Sequence, residues 1–102
     1  MKLEIKETEV FSKWKSKIKD RQALKAIAVR LIRAANGNLG DIEPVGIGVS
    51  EMRIFTGKGY RLYFSIQGDT LVLLLNGGIK SNKKQQQVDI ALAKQLLSDL
   101  EK

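Results

Sequence analysis

The sequence contains no cysteine and no histidine. The missing cysteine excludes disulfides, thiolate nucleophiles and cysteine-ligated metals, and the missing histidine excludes imidazole catalysis and disfavours zinc or iron sites. Any enzymatic proton transfer would therefore use lysine, tyrosine, a carboxylate or the substrate itself, with no metal and no other cofactor. Because a small secreted domain usually needs disulfides, we expect a cytoplasmic protein.

Long apolar runs are also missing. The longest spans residues 71–75, far short of the roughly 18 residues that a membrane-spanning helix needs. The charged N-terminus does not resemble a signal peptide, so we expect no membrane span and no export. Aromatic residues are scarce at 6%, but hydrophobic residues make up 43% of the 102 residues. This composition predicts one domain, residues 1–102, with an aliphatic core.

Negative charge is in short supply. The 18 lysines and arginines outnumber 11 acidic residues, which gives a formal net charge of +7. A compact protein this basic attracts polyanions at long range. Nucleic acid, a ribosome, an acidic protein or an anionic membrane would each fit, so charge alone does not choose the partner.

The spacing of apolar residues predicts two helices after a short strand at residues 3–5. Thr8 begins the first helix, and Asp20 is a suitable N-cap for the second. The second helix buries Leu24, Ile27, Ala28, Leu31, Ile32 and Ala35. It closes at Asn36-Gly37, because both residues tolerate the left-handed conformation. The two helices form a hairpin, followed by loop and extended chain at 37–48.

From residue 51 the apolar period becomes that of a strand. Strands are predicted at 51–55 and 60–66, joined by a turn at 57–59, with a third at 70–75. A three-residue turn pairs Ile54 with Leu62 and puts Arg53 beside Tyr63. A polar loop at 79–87 and a helix at 88–100, which buries Leu100, complete the chain.

These elements predict an α+β fold. Its antiparallel sheet is a three-stranded meander plus the short N-terminal strand, with an N-terminal helical hairpin, a C-terminal helix and the helices on one sheet face. The other face is predicted to stay partly open. It would carry two arginines and two aromatic residues of the hairpin: Arg53, Arg61, Phe55 and Tyr63.

Ordered motifs cover most of the chain from about residue 8. They are Phe11-x-x-Trp14, Gly37-Asn38-x-Gly40-Asp41, Val45-Gly46-x-Gly48-Val49-x-Glu51-x-Arg53-Ile54, Gly59-Tyr60-Arg61-x-Tyr63-Phe64, Leu73-Leu74-Leu75-x-Gly77-Gly78-x-Lys80 and Asp89-Ile90. Together they resemble the RelE/ParE toxin superfamily, in particular its addiction module killer proteins, which are HigB-like. One departure is that Ile79 stands where the family usually has an acidic residue. The spacer at 81–88 is also longer, so either Lys80 or Lys83 could take the position of the family lysine.

The resemblance implies a RelE-like fold and the toxin of a type II toxin–antitoxin module. Such toxins typically cleave mRNA on the ribosome by attack of a ribose 2′-OH on the adjacent phosphate. That reaction needs a base, an acid and cations for the developing charge. The implied partners are the ribosome, mRNA and a cognate antitoxin, commonly an adjacently encoded helix-turn-helix protein that joins the toxin in a hetero-oligomer.

Basic side chains supply the candidate catalytic residues, which are Arg53, Arg61, Lys80 and Lys83. Arg61 leads, because arginine stays protonated and can hold a phosphate through two N–H groups. A lysine could serve as the base only where burial or neighbouring cations lower its pKa. The candidate RNA-binding residues are Lys13, Lys17, Phe55, Lys58, Tyr60, Tyr63 and Lys84.

Each candidate also has a purely structural explanation. Arg61 could stack on Phe55 or Tyr63 as a solvated strand arginine. Arg53 could pair with a carboxylate such as Glu51 or Asp69, and the lysines of the first helix could be a solvated face. At the level of function, a ParE-type toxin that inhibits DNA gyrase and a non-toxic basic RNA-binding module both remain alternatives.

Overall fold

The computed structural model describes residues 2–101, so Met1 and Lys102 of the predicted 1–102 domain lie outside the described residues. The elements are β1 (Glu4–Glu7), α1 (Glu9–Ser16), α2 (Arg21–Ala35), β2 (Ile42–Gly46), β3 (Val49–Ile54), β4 (Tyr60–Gln67), β5 (Leu71–Ile79) and α3 (Lys83–Leu100). The strands form one sheet in the order β1-β5-β4-β3-β2. The predicted α+β fold, with a helical pair near the N-terminus and a helix at the C-terminus, is confirmed.

The first two helices begin at the capping residues that the sequence predicted. Thr8 Oγ1 accepts a hydrogen bond from Phe11 N at 3.0 Å. Asp20 Oδ1 accepts from the backbone N–H groups of Gln22 and Ala23 at 3.0 and 3.2 Å. These bonds satisfy donors that the first turn of a helix leaves unpaired. No helix within residues 2–101 is long and apolar enough to cross a membrane.

The sheet is mixed and has a strand that the sequence analysis did not predict. The segment at 37–48, predicted as loop and extended chain, contains β2, which pairs antiparallel with β3 at the edge of the sheet. Pro44 lies in β2, and an edge strand tolerates a residue without an N–H group. Its proline and neighbouring glycines therefore conceal the strand in the sequence. β1 pairs with β5 in parallel, not antiparallel.

Of the predicted polar loop at 79–87, Ile79 ends β5 and residues 83–87 begin α3, so the connection between them is residues 80–82. β5 continues through the two glycines that were expected to end it, since Gly77 and Gly78 pair with Leu62 and Arg61. Asn82 caps α3 by accepting from Gln85 N at 2.9 Å. A first turn that is polar on every side has no apolar periodicity, so the pattern of the sequence does not reveal it.

β3 and β4 pair in a register two residues away from the predicted one. Ile54 lies opposite Tyr60, because the connection spans residues 55–59 and not only 57–59. Side chains alternate between faces with a period of two, so this shift keeps each one on its predicted face. It does change the neighbours: Arg53 lies opposite Arg61, not opposite Tyr63.

Helices cover both faces of the sheet, so the predicted open face is wrong over much of its area. The helices α1 and α2 cover a core that includes Phe11, Ile27, Met52, Leu62 and Phe64. The opposite face is covered by α3 through Ile90, Ala93 and Leu97, which pack on Val49, Tyr63 and Leu75.

Three apolar residues that were predicted to be buried, Ala28, Ile32 and Leu100, are exposed. Ile32 is 62% exposed and Leu100 is 56% exposed. In α2 the buried residues are Ala23, Ile27 and Ala34, so the helix is rotated relative to the predicted apolar stripe. The small side chains of Ala23 and Ala34 allow α2 to pack its alanine-containing side on the core, although that side is not the most hydrophobic one.

Candidate functional site

Five of the residues that the sequence singled out surround one cleft. The cleft has a volume of about 110 Å³ and is lined by Arg53, Ile54, Phe55, Tyr60, Arg61 and Lys80. Its walls come from β3, β4 and the residues that follow β3 and β5. The three charged side chains in its lining are all cationic. We call this feature the arginine cleft.

The two arginines of the cleft form a cross-strand pair. Arg53 and Arg61 lie directly opposite each other on β3 and β4, and so project from the same face of the sheet. Their side chains are 34% and 15% exposed, so α3 does not seal them. Like charges in this arrangement repel each other unless carboxylates compensate them. Each arginine has such a partner, but the two are held differently.

Arg61 is held through its Nε atom by a buried carboxylate. Nε donates to Glu51 Oε1 at 3.0 Å, and the Glu51 side chain is only 2% exposed. The other carboxylate oxygen accepts from Gln86 Nε2 of α3 at 2.9 Å. The bond to Glu51 does not use the terminal amino groups Nη1 and Nη2, and this pair can donate two parallel hydrogen bonds to a phosphate.

Arg53 is held through its terminal amino groups. Nη2 lies 3.0 Å from Asp41 Oδ1, and Nη1 lies 3.3 Å from Glu43 Oε2. The hydrogen bond to Asp41 raises the pKa of Arg53, so its guanidinium is firmly cationic. The partners are thus Asp41 and Glu43, and not the Glu51 or Asp69 considered from the sequence. Because both terminal amino groups of Arg53 contact carboxylates, Arg53 is less available to an anion than Arg61.

Lys80, and not Lys83, lies with the arginines. Its backbone N–H donates to Gly59 O at 2.9 Å, and its side chain lines the arginine cleft. Gly59 has a φ of +81°, and a Cβ there would lie 3.1 Å from Lys80 Cβ. Glycine therefore serves both the turn and the close approach of Lys80. Lys83 and Lys84 are exposed residues of the first turn of α3.

The aromatic candidates differ sharply in accessibility. Phe55 is 68% exposed at the rim of the cleft, whereas Tyr60 is 4% exposed. Tyr60 packs edge-on against Trp14 at 6.2 Å between ring centroids, so it shapes the cleft wall. Tyr63 is fully buried beneath α3, so the prediction that it contacts RNA from an open face is wrong. Burial, reinforced by Glu51 and Asp89, raises the pKa of Tyr63 and keeps its hydroxyl protonated.

A second basic surface adjoins the arginine cleft. Lys17, Lys19 and Lys58 line a groove of about 350 Å³ that shares Tyr60 with the cleft. Lys13 is not among the residues that line it. Lys13 Nζ lies 3.5 Å from Glu9 Oε1 on the solvated side of α1, as the structural explanation of that lysine run expects.

Comparison with known proteins identifies the family of this chain. Residues 19–98 match the family described as phage-derived protein Gp49-like. The chain belongs to the Gp49-like family. This family is associated with toxin–antitoxin toxins of the RelE/HigB type. An uncharacterized protein of Haemophilus influenzae is 44% identical over 100 residues, which cover 98% of each chain.

The glycine pair of this Gp49-like protein has a packing role. A Cβ at Gly77 would overlap the ring of Trp14, and one at Gly78 would overlap the carboxylate of Asp89. The two adjacent glycines therefore contact two motif residues that are distant in the sequence, Gly77 with Trp14 and Gly78 with Asp89. Their pattern reflects how closely α1 and α3 approach β5, and it does not by itself indicate chemistry.

Sequence reasoning missed the residues that orient the arginines. Gln86 was assigned to a loop, Asp41 and Glu43 were not considered as partners, and Glu51 was considered only for Arg53. The sequence did contain a signal for Glu51, because Glu51 and Arg53 are two residues apart on one strand and so share a face. In the observed register Glu51 lies opposite Tyr63, and so diagonally across from Arg61.

Proposed function

We propose that this Gp49-like protein is the toxin of a type II toxin–antitoxin module, of the HigB-like, addiction module killer type. Its activity is that of a ribosome-dependent endoribonuclease, and a cognate antitoxin neutralises it. The observation that carries the proposal is the arginine cleft, where Arg61, Arg53 and Lys80 converge beside an exposed aromatic ring.

The chemistry that suits this cleft is internal transesterification. The ribose 2′-oxygen loses its proton and forms a bond to phosphorus, while the bond from phosphorus to the 5′-oxygen breaks and that oxygen gains a proton. The products carry a 2′,3′-cyclic phosphate and a 5′-hydroxyl. Arg61 stabilises the phosphorane charge through Nη1 and Nη2, since an arginine stays protonated at neutral pH and so acts as a fixed cation. Lys80 is the lysine of the cleft that can transfer a proton.

RNA would reach the cleft along the basic surface. The open ring of Phe55 offers a face on which a base can stack. Lys17, Lys19 and Lys58 can neutralise backbone phosphates on one side of the cleft. Lys83 and Lys84 occupy the first turn of α3, where the helix dipole disfavours cations. The helix dipole therefore does not favour these two lysines, but an anionic ligand bound there would.

Cleavage of a reporter mRNA in a purified translation system tests the proposal. We expect cuts within translated codons, 2′,3′-cyclic phosphate ends, and no cut where the 2′-OH is replaced by hydrogen. Arg61→Ala should lower the cleavage rate about 100-fold, as loss of one transition-state donor does. Arg33→Ala is the matched control, because it removes the same charge from an exposed site on α2 outside the cleft lining and should change the rate less than twofold.

Other results would overturn the nuclease proposal. Intact mRNA with loss of DNA supercoiling would identify a ParE-type gyrase inhibitor. RNA binding without growth arrest on induction would identify a non-toxic binding module. Equal losses in Arg61→Ala and Arg33→Ala would mean that charge, and not the cleft, carries the effect. The antitoxin is tested separately, by asking whether the adjacent gene encodes a helix-turn-helix protein that copurifies with this chain and stops cleavage.

A further inference from the structure

Glu51 is a buried carboxylate that the mechanism above does not use. Its two oxygens accept one hydrogen bond each, from Arg61 Nε at 3.0 Å and from Gln86 Nε2 at 2.9 Å. Removing a carboxylate from water costs several kcal/mol, and a buried ion pair is often no more stabilising than an apolar pair of the same size. Stability is therefore a poor reason for a charged group that is only 2% exposed.

The geometry gives Glu51 a directional effect on Arg61. A guanidinium is planar and rigid, so a hydrogen bond at Nε helps to set the orientation of Nη1 and Nη2 as well. Arg61 is 15% exposed and lines the arginine cleft, so little space remains for other rotamers. Arg53 provides the contrast, because its carboxylates occupy the terminal amino groups themselves.

Gln86 extends this arrangement to a third element. It lies in the first turns of α3, whereas Glu51 lies on β3 and Arg61 on β4. An amide N–H on the second oxygen restricts rotation of the carboxylate about its own axis. The orientation of the Arg61 guanidinium in the cleft thus depends on β3, β4 and α3, which meet at the buried carboxylate of Glu51.

We propose that Glu51 is a positioning residue, which together with Gln86 holds the Arg61 guanidinium so that Nη1 and Nη2 meet a phosphate in the cleft. This inference rests on the proposed nuclease function. Glu51 itself touches no substrate. Its effect is on the rate of the chemical step, because a small misplacement of a transition-state donor can cost about 100-fold.

The first test compares Glu51→Gln with Glu43→Gln. The amide keeps the shape of the Glu51 side chain but has only one acceptor oxygen for two donors. We expect kcat to fall 10- to 100-fold in Glu51→Gln, with KM and the Kd for uncleavable 2′-deoxy RNA within about twofold of wild type. Glu43→Gln removes an exposed carboxylate from Arg53 and should change kcat less than threefold. The kcat of Gln86→Ala should lie between the kcat values of Glu51→Gln and Glu43→Gln.

A double-variant comparison excludes a merely structural role. If Glu51 acts through Arg61, adding Glu51→Gln to Arg61→Ala should lower kcat by less than twofold more. An equal further loss in that background would overturn the proposal. So would a Glu51→Gln protein whose kcat per folded molecule, counted by circular dichroism, equals that of wild type.

The second test does not depend on catalysis. In NMR spectra, the Nε–H signal of Arg61 should be resolved and slow to exchange in wild type, because it is bonded to a buried carboxylate. Glu51→Gln should shift it and speed its exchange at least tenfold, whereas Glu43→Gln should leave it unchanged. An unchanged Arg61 signal in Glu51→Gln would overturn positioning even in an active nuclease. A changed signal in a protein that cuts no RNA would overturn the proposed function but not the orientation of Arg61.

Discussion

The two faces of the sheet bury different kinds of side chain. Toward α1 and α2, the buried cluster consists of hydrophobic residues. Toward α3, the face also buries Glu51, Ser65 and Asn76, which are the buried polar side chains among residues 2–101. Glu51 bonds to Gln86 and Asn76 bonds to the carbonyl of Asp89, both in α3. Ser65 follows Tyr63 by two positions on β4, and so shares its face.

This difference separates the part of the molecule that stabilises the fold from the part that builds the site. Buried polar groups lower stability unless each one finds a hydrogen-bond partner. They are therefore expected where a fixed polar geometry is needed, and local departures from an apolar core mark such places. The two arginines of the arginine cleft project from the polar face, where Glu51 holds Arg61.

The largest expected effect comes from truncating the apolar face. Phe64→Ala should lower the free energy of unfolding by about 3–5 kcal/mol, because it removes a fully buried ring and leaves a cavity. Denaturant unfolding followed by circular dichroism measures this. Ile66→Ala, on the same strand but 43% exposed, is the control and should cost less than half as much. Equal costs would mean that burial in the apolar core does not set the cost of truncation on this face.

The glycine pair compares the two faces at neighbouring positions. Gly77→Ala should cost about 1–3 kcal/mol, because the new methyl group meets the rigid ring of Trp14. Gly78→Ala should cost less, because it meets the Asp89 carboxylate, which can rotate away. Thermal and denaturant unfolding measure both. In a Trp14→Ala background the cost of Gly77→Ala should vanish, and its persistence would contradict the packing explanation.

The smallest expected effect at neutral pH is that of Tyr63→Phe. The Tyr63 hydroxyl has no hydrogen-bond partner among residues 2–101, so its removal should change the free energy of unfolding by less than about 0.5 kcal/mol at pH 7. Cleavage should also be retained, since the buried hydroxyl cannot reach RNA. A hundredfold loss of cleavage would restore a catalytic role for this tyrosine.

The same variant should differ from wild type in alkali. Burial raises the pKa of Tyr63 above the ordinary value of 10.0, so above pH 10 the unfolded chain releases this proton while the folded chain keeps it. Wild type should therefore lose stability with rising pH faster than Tyr63→Phe, by up to about 1.4 kcal/mol per pH unit. Urea unfolding at pH 9 and 11 measures the difference, and parallel curves would contradict it.

Periodicity and capping chemistry were sufficient for much of the fold. Thr8 and Asp20 begin their helices as predicted, because a side-chain cap acts on backbone groups only two or three residues away. The two-residue error in the β3–β4 register left the faces correct, since alternation is a local property. β2 and the first turn of α3 were missed because an edge strand with a proline and a polar helical turn carry no apolar pattern.

The sequence by itself determined that this chain is basic, lacks thiol and imidazole chemistry, and sets Arg53 and Arg61 on one face of a hairpin. Only the tertiary structure decided which groups those arginines meet. Glu43 comes from an edge strand, Asp41 is the residue just before that strand, and Gln86 comes from a helix at the other end of the chain, and no local spacing encodes such contacts. The burial of Tyr63 was decided in the same way, because it depends on where α3 packs and not on the alternation of β4.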